Sequence, residues 1–188
     1  MKKILISLAF LLIAAVFNLA NCQTLDKTVD VGGAAMYPTK NIVENAMNSK
    51  SHTTLVAAVK AAGLVETLGS PGPFTVFAPT NDAFENLPQG TVENLLKPEN
   101  KTVLGKVLTY HVVAGQLNFD NLSKQIMKNN GKLSLKTVNG AMLMFSMNGM
   151  KNIMVWDENG NGANISVYDV MQSNGVIHVI DSVLLPKM

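Results

Sequence analysis

The chain has 188 residues, of which 47% are hydrophobic and 15% charged, with 15 basic residues against 13 acidic ones and one cysteine. Every basic residue is a lysine, so bidentate guanidinium recognition of phosphate or carboxylate is closed to it, and the near-neutral balance gives no electrostatic footprint for nucleic acid. A lone cysteine cannot close an intramolecular disulfide.

Lys2 and Lys3 precede an apolar stretch from Ile4 to Phe17. This is the pattern of a secretory signal peptide, too short for the roughly 20 apolar residues of a membrane span. Two exits are written in the same residues. Ala20 and Cys22 suit cleavage before Gln23, whereas Leu19-Ala20-Asn21-Cys22 resembles a bacterial lipoprotein box, which would make Cys22 the lipidated residue. Residues 1–22 are therefore expected as a leader. The rest is expected to be exported, as a secreted or periplasmic protein or one anchored at the outer membrane through Cys22. The two lysines leave with the leader, so what remains is neutral and of a length for one well-buried domain.

Residues 23–40 are polar and small with no sustained period, and read as an arm or tether leading into a domain over 41–188. Ile42, Val43 and Ala46, then Leu55, Val56, Val59 and Leu64, recur at helical spacing, with Gly63 and Gly69 as stops. Phe74 to Ala78 is a buried strand in which Phe74, Val76 and Ala78 share one face and Phe77 takes the other. Pro79 ends it, and Thr80 or Asn81 caps a short helix carrying Asp82, Ala83, Phe84 and Leu87. Helices are expected again at about 91–96 and 101–108. From Gly131 the period changes to alternation: a hairpin around Asn139-Gly140, a second joining Ile153–Trp156 to Ile165–Tyr168, and a last strand from Val176. Helices first and antiparallel strands later make an α+β protein.

Several of these segments together resemble the fasciclin domain family. Phe74-Thr75-Val76-Phe77-Ala78-Pro79-Thr80-Asn81-Asp82-Ala83-Phe84 is similar to its first signature block, and Gly175-Val176-Ile177-His178-Val179-Ile180-Asp181-Ser182-Val183-Leu184-Leu185-Pro186 to its second. Tyr110-His111-Val112-Val113 matches its Tyr-His element and Val138-Asn139-Gly140 its central hairpin. The blocks are in order and cover about 41–186. The resemblance implies a β-sandwich-like wedge of mostly antiparallel strands flanked by a layer of helices, with no catalysis and no cofactor. It also implies adhesion to a protein, matrix or glycan partner at the cell surface. In animal matrix relatives the Tyr-His element and flanking aliphatic residues are linked to partner binding, which maps here to Leu108, Tyr110, His111, Val112 and Val113. The remaining signature residues, Phe77, Pro79, Thr80, Asn81, Asp82, Phe84, Asn139, Gly140, Gly175 and His178, are expected to be mainly structural. On physical grounds Tyr110-His111 also falls where a helix gives way to a strand, where such a pair satisfies backbone groups. Gln116 and Asn118, just beyond it, are expected to be exposed.

Other chemistry is set aside. Ser173, His178 and Asp181 are near in sequence, but His178 and Asp181 point to opposite faces of a strand, so they make no triad. Asp157, Asn159, Asn161 and Gly162 open like a calcium loop, yet the twelfth position is Tyr168 and a polar turn is the better account. Met144, Met147 and Met150 repeat every third residue, a spacing that Cu(I) exploits, but Met142, Met144 and Met154 read as thioethers filling an irregular core, and no metal is expected. The second functional reading is a soluble receptor for a small or glycan ligand in the cleft between helices and sheet. The leader has its own test: the intact mass of the protein from its native host is that of residues 23–188 after ordinary cleavage, whereas a mass including Cys22 with acyl chains establishes the lipoprotein.

Overall fold

A computed structural model of the chain describes residues 27–187. The expected leader, Cys22 and both cleavage readings lie outside the described residues. In chain order the elements are β1 (Val29–Asp30), β2 (Ala35–Met36), α1 (Ile42–Ala46), α2 (Thr53–Ala62), α3 (Val65–Gly69), β3 (Phe74–Pro79), α4 (Asn81–Glu85), α5 (Thr91–Leu95) and α6 (Lys101–Tyr110). After them come β4 (Val112–Ala114), α7 (Phe119–Lys128), β5 (Lys132–Lys136), β6 (Met142–Met147), β7 (Ile153–Trp156), β8 (Gly162–Gln172) and β9 (Gly175–Ile180).

Seven strands form one sheet in the order β4-β3-β9-β8-β7-β6-β5, antiparallel except where β3 runs parallel to β9 from Phe74↔Gly175 to Pro79↔Ile180. The sheet curls until its ends meet. Val113 bridges to Thr137 just past β5, and Val138 N donates to Val112 O at 2.8 Å. Both faces are apolar, so the strands at the middle read as continuous hydrophobic runs. On one face Val76, Ala78, Ile177 and Val179 pack under α1, α2, α4 and α6. On the other Phe77, Phe145, Val155, Ile165 and Ile180 fill the curl, which Leu122 and Ile126 of α7 close. This is the expected helix-flanked wedge, with Phe77 opposite its neighbours as alternation requires.

Three expectations change, and helix α7 is an element that the sequence reading does not name. Val29 to Met36, assigned to the arm, form a hairpin whose Val31 and Met36 are buried against the helix-side core. Its burial comes from contacts across the fold, which a two-residue strand pattern cannot signal. Helix α7 had a readable signal, an Asn118 cap accepting from Asn121 N at 2.9 Å with Phe119, Leu122 and Ile126 at helical spacing. Asn139-Gly140 sits in a five-residue connection between Lys136 and Met142, not a two-residue turn, because Asn139 Oδ1 accepts from Thr137 Oγ1 and Ala141 N at 2.7 and 2.8 Å. Finally, Met142 and Met144 do not fill the core: β6 turns Leu143 and Phe145 inward and leaves both methionines exposed.

Gly175 is dictated by the parallel pairing. A Cβ there would lie 2.1 Å from the Phe74 carbonyl oxygen, a contact that no rotamer change relieves because the obstacle is backbone. Gly175→Ala is expected to cost about 3 kcal/mol of stability; urea unfolding that leaves the midpoint in place would show that β3 and β9 are not held this closely.

Candidate functional site

Tyr110 is the last residue of α6 and His111 its C-cap, and β4 begins at Val112. The helix end delivers both side chains to the seam where the curled sheet meets its own far edge. Tyr110 Oη donates to Met142 O at 2.9 Å and accepts from Glu158 N at 3.1 Å. His111 Nε2 accepts from Leu184 N at 3.0 Å, which fixes the tautomer, so Nδ1–H donates to Val107 O at 2.8 Å. The His111 carbonyl accepts from Phe77 N at 2.9 Å.

The Asp157 carboxylate, wholly buried beside this seam, accepts from Asn159 N, Asn161 N, Asn161 Nδ2 and Leu185 N at 2.8–3.1 Å. It therefore ties the β7–β8 turn to the C-terminal segment. These donors occupy both oxygens, the arrangement of a turn-closing carboxylate and not of a calcium ligand.

The five residues assigned to partner binding are gathered by the structure but buried: Tyr110 is 0% exposed, and Leu108, His111, Val112 and Val113 are 3–5% exposed. Their side chains form the support of a surface and not the surface itself. What faces solvent around them is Val138, 48% exposed, with half-buried Thr109 and exposed Gln116. A small apolar pocket of about 20 Å³ lined by Leu64, Leu68, Phe74, Val112 and Val138 lies beside the junction. Asn118 is half-buried and spent on the α7 cap, so it is not the free surface residue expected.

The signature residues sit where they order the frame. Thr80 Oγ1 accepts from Ala83 N at 3.3 Å and caps α4, whose first turn carries exposed Asp82. Asn81 Oδ1 accepts from Thr54 N at 3.1 Å and its Nδ2 donates to Lys50 O at 2.8 Å, holding the start of α2. Pro79 ends β3, and Phe84 packs in the helix-side core. Asn139 Nδ2 reaches Lys106 O at 3.2 Å, linking the β5–β6 connection to α6, while Gly140 takes a φ of 95°. His178 stacks on Phe77 with ring centroids 5.6 Å apart. Its Nδ1 accepts from Asp169 N at 3.3 Å, so Nε2–H donates to Leu117 O at 2.8 Å. Neither ring nitrogen is free for catalysis, and Asp181 is exposed just past the strand end, bonded to Asn164.

The cleft of the receptor reading is an apolar cavity of about 50 Å³ between α1–α3 and the sheet. The polar residues on its wall are His52, Lys60 and His111. Ser49 Oγ is spent on Val31 O, so His52 Nδ1–H donates to it at 2.9 Å; Nε2 faces the Ala78 backbone outside hydrogen-bond geometry. The volume is well below the few hundred Å³ of ordinary ligand pockets.

A helix-flanked, nearly closed sheet latched by a buried Tyr-His pair is the architecture of one known class of domain. The family model of the fasciclin domain matches residues 50–186, and the chain belongs to that family. Protein sll1483 of Synechocystis sp. is 47% identical over 170 residues, covering 90% of this chain and 87% of that one. Transforming growth factor-beta-induced protein ig-h3 of Sus scrofa is 35% identical over 152 residues, 79% of this chain but 20% of that protein. The FAS1 domain pair of the insect cell adhesion molecule fasciclin I shares the fold at a TM-score of 0.68 and 19% identity, over 79% of this chain and 52% of that one.

Burial lowers the pKa of His111 from 6.5 to about 4, against the opposing pull of the Val107 carbonyl and Asp157, and burial lowers His52 and His178 too. Unfolding restores a normal histidine, so between pH 6.5 and 4 the unfolded chain binds more protons than the folded one. Stability is therefore full above pH 6.5 and declines as pH falls toward 4, by about 3 kcal/mol through His111. A His111→Gln variant, which cannot take up the proton, should show a shallower decline of unfolding free energy across that window; an unchanged slope would remove His111 as its source.

Proposed function

We propose that this chain is a non-catalytic adhesion or recognition module, exported and working at or beyond the cell surface. Its partner is a protein, matrix or glycan, which it meets through the rim of the Tyr110-His111 junction. The observation that supports this reading most directly is the state of the junction. Tyr110 and His111 spend their polar atoms on Met142, Glu158, Val107 and Leu184, so they are built to shape a surface and not to react. The rim offers exposed Val138 at the edge of a small apolar pocket of about 20 Å³, a place where one apolar side chain of a partner could seat. Membership of a family with a solved domain pair from a cell adhesion molecule points the same way. No described helix is long and apolar enough to cross a membrane, so in this reading any membrane attachment runs through a lipid on Cys22.

One observation favours the receptor reading in a different place. An open groove of about 560 Å³ at α5 and the start of α6 is lined by Gln89, Thr91, Asn94, Lys97 and Asn100 above Leu95 and Val103, donors and acceptors suited to sugar hydroxyls.

Attachment of the purified protein to cells, matrix and glycan arrays separates the two. Val138→Lys changes an exposed residue and should shift stability by no more than about 0.5 kcal/mol, while attachment is lost. Unchanged attachment there with loss in Asn94→Ala moves the site to the α5 groove. Failure of the unaltered protein to bind any preparation ends the adhesion reading.

A further inference from the structure

The chain holds six Asn-Gly steps, at 130–131, 139–140, 148–149, 159–160, 161–162 and 174–175. Asparagine is a thermolabile residue, and in such a step no side chain shields the glycine nitrogen from the amide carbon of the residue before it. Closing a five-membered imide ring there needs two freedoms. The asparagine side chain must turn its Cγ toward the following nitrogen, and that N–H must be unbonded so that base can remove its proton.

The fold withholds these freedoms from four of the six. Asn139 accepts from Thr137 Oγ1 and Ala141 N and donates to Lys106 O, while Gly140 N donates to Thr137 O at 2.9 Å. Asn159 Nδ2 donates to Leu185 O at 2.8 Å, and Gly160 N to Asp157 O at 3.2 Å. Asn161 Nδ2 donates to the buried Asp157 carboxylate at 2.9 Å, and Gly162 begins β8 in register with Trp156. Asn174, 8% exposed, is spent on Ile42 N, Leu68 O and Ser70 O, and Gly175 lies in β9. A fifth step is half free. Asn130 is exposed and its side chain has no partner among the described residues, but Gly131 N donates to Ile126 O at 2.9 Å.

Asn148-Gly149 meets both conditions. It lies exposed in the β6–β7 turn, where Asn148 N donates to Asn152 O at 2.7 Å. Gly149 N donates to no group among the described residues, and the space where a Cβ on Gly149 would stand is open. The Asn148 side chain makes one exposed bond, Nδ2 to Asn164 Oδ1 at 3.2 Å, the long end of the range.

We propose that Asn148 is a site of spontaneous deamidation, with water as the co-reactant. Gly149 N loses its proton to solvent base and attacks Cγ of Asn148. The Cγ–Nδ2 bond breaks, the nitrogen leaves as ammonia, and a succinimide remains. Water then adds to one ring carbonyl and the bond from that carbon to Gly149 N breaks, returning a proton to the nitrogen. Opening at the backbone carbonyl gives an isoaspartyl link, and opening at the side-chain carbonyl gives aspartate. One water is consumed and one ammonia released. Either product replaces an amide donor by a carboxylate, so the bond to Asn164 Oδ1 is lost. The new charge stands across Asn164 from the Asp181 carboxylate, which accepts from Asn164 N and Nδ2 at 2.8 and 3.0 Å. The isoaspartyl form also adds a backbone carbon to the turn that sets the Met147↔Ile153 register.

The test incubates the full protein in warm, mildly alkaline buffer, folded and in guanidinium chloride. Samples are digested under acidic conditions, where the ring does not form, and aspartyl and isoaspartyl peptides are separated and identified by mass spectrometry. In the folded protein Asn148 converts first and to both products. Asn139, Asn159, Asn161 and Asn174 convert about tenfold more slowly or less, since their bonds must open before the ring can close. In denaturant the six rates draw together. Circular dichroism of the folded sample verifies that it stays folded. Conversion of Asn148 no faster than that of the four held asparagines overturns the proposal, as does the same ranking in denaturant, which would assign the order to neighbouring residues and not to the fold.

Discussion

At the Tyr110-His111 step five segments meet through backbone groups that the pair binds. The end of α6 offers Val107 O, the C-terminal segment Leu184 N, the β7–β8 turn Glu158 N, β6 Met142 O and β3 Phe77 N. The two His111 ring bonds are buried and the two Tyr110 hydroxyl bonds partly so, and a buried polar group left unpaired costs about 1–3 kcal/mol, so the pair holds its neighbours more by what its loss would expose than by what each bond adds. A residue other than tyrosine or histidine would leave several backbone groups orphaned at once. This accounts for a Tyr-His element that is invisible from outside.

The same seam explains how one sheet supplies two cores. Because β3 and β9 run side by side in the middle of the sheet, their alternating residues feed the helix layer on one side and the inside of the curl on the other. The close approach of Gly175 to Phe74 sets that central pairing, and the Val113–Thr137 bridge closes the outer edges. Histidine is used three times in this frame, each time buried and held neutral, so the domain's polar interior is structural. In the proposed reading recognition falls to the rim, where the backbone presents Val138 and the small apolar pocket beside it.

Where sequence and structure differ, the reason is contact order. The Phe74 block, the Thr80 cap and the opposite faces of Phe77 and Val76 were legible because each depends on residues within a few positions of one another, as was the second hairpin, although its strands pair through Gly162–Asn164 and not Ile165–Tyr168. The chain's order of helices and strands likewise sufficed for an α+β class, and its ordered motifs for the family. The burial of Val31 and Met36 and the exposure of Met142 and Met144 depend on which strand lies beside which, and a residue pattern carries no such information.

The sequence by itself determined the class of the fold, its punctuation and the location of the Tyr-His junction, because periodicity, proline, glycine and capping residues act locally on the backbone. Only the tertiary structure decided that the junction faces inward. Whether a histidine at a helix end is a contact or a support depends on what arrives at its far side, and for His111 that is the amide of Leu184, 73 residues further along the chain.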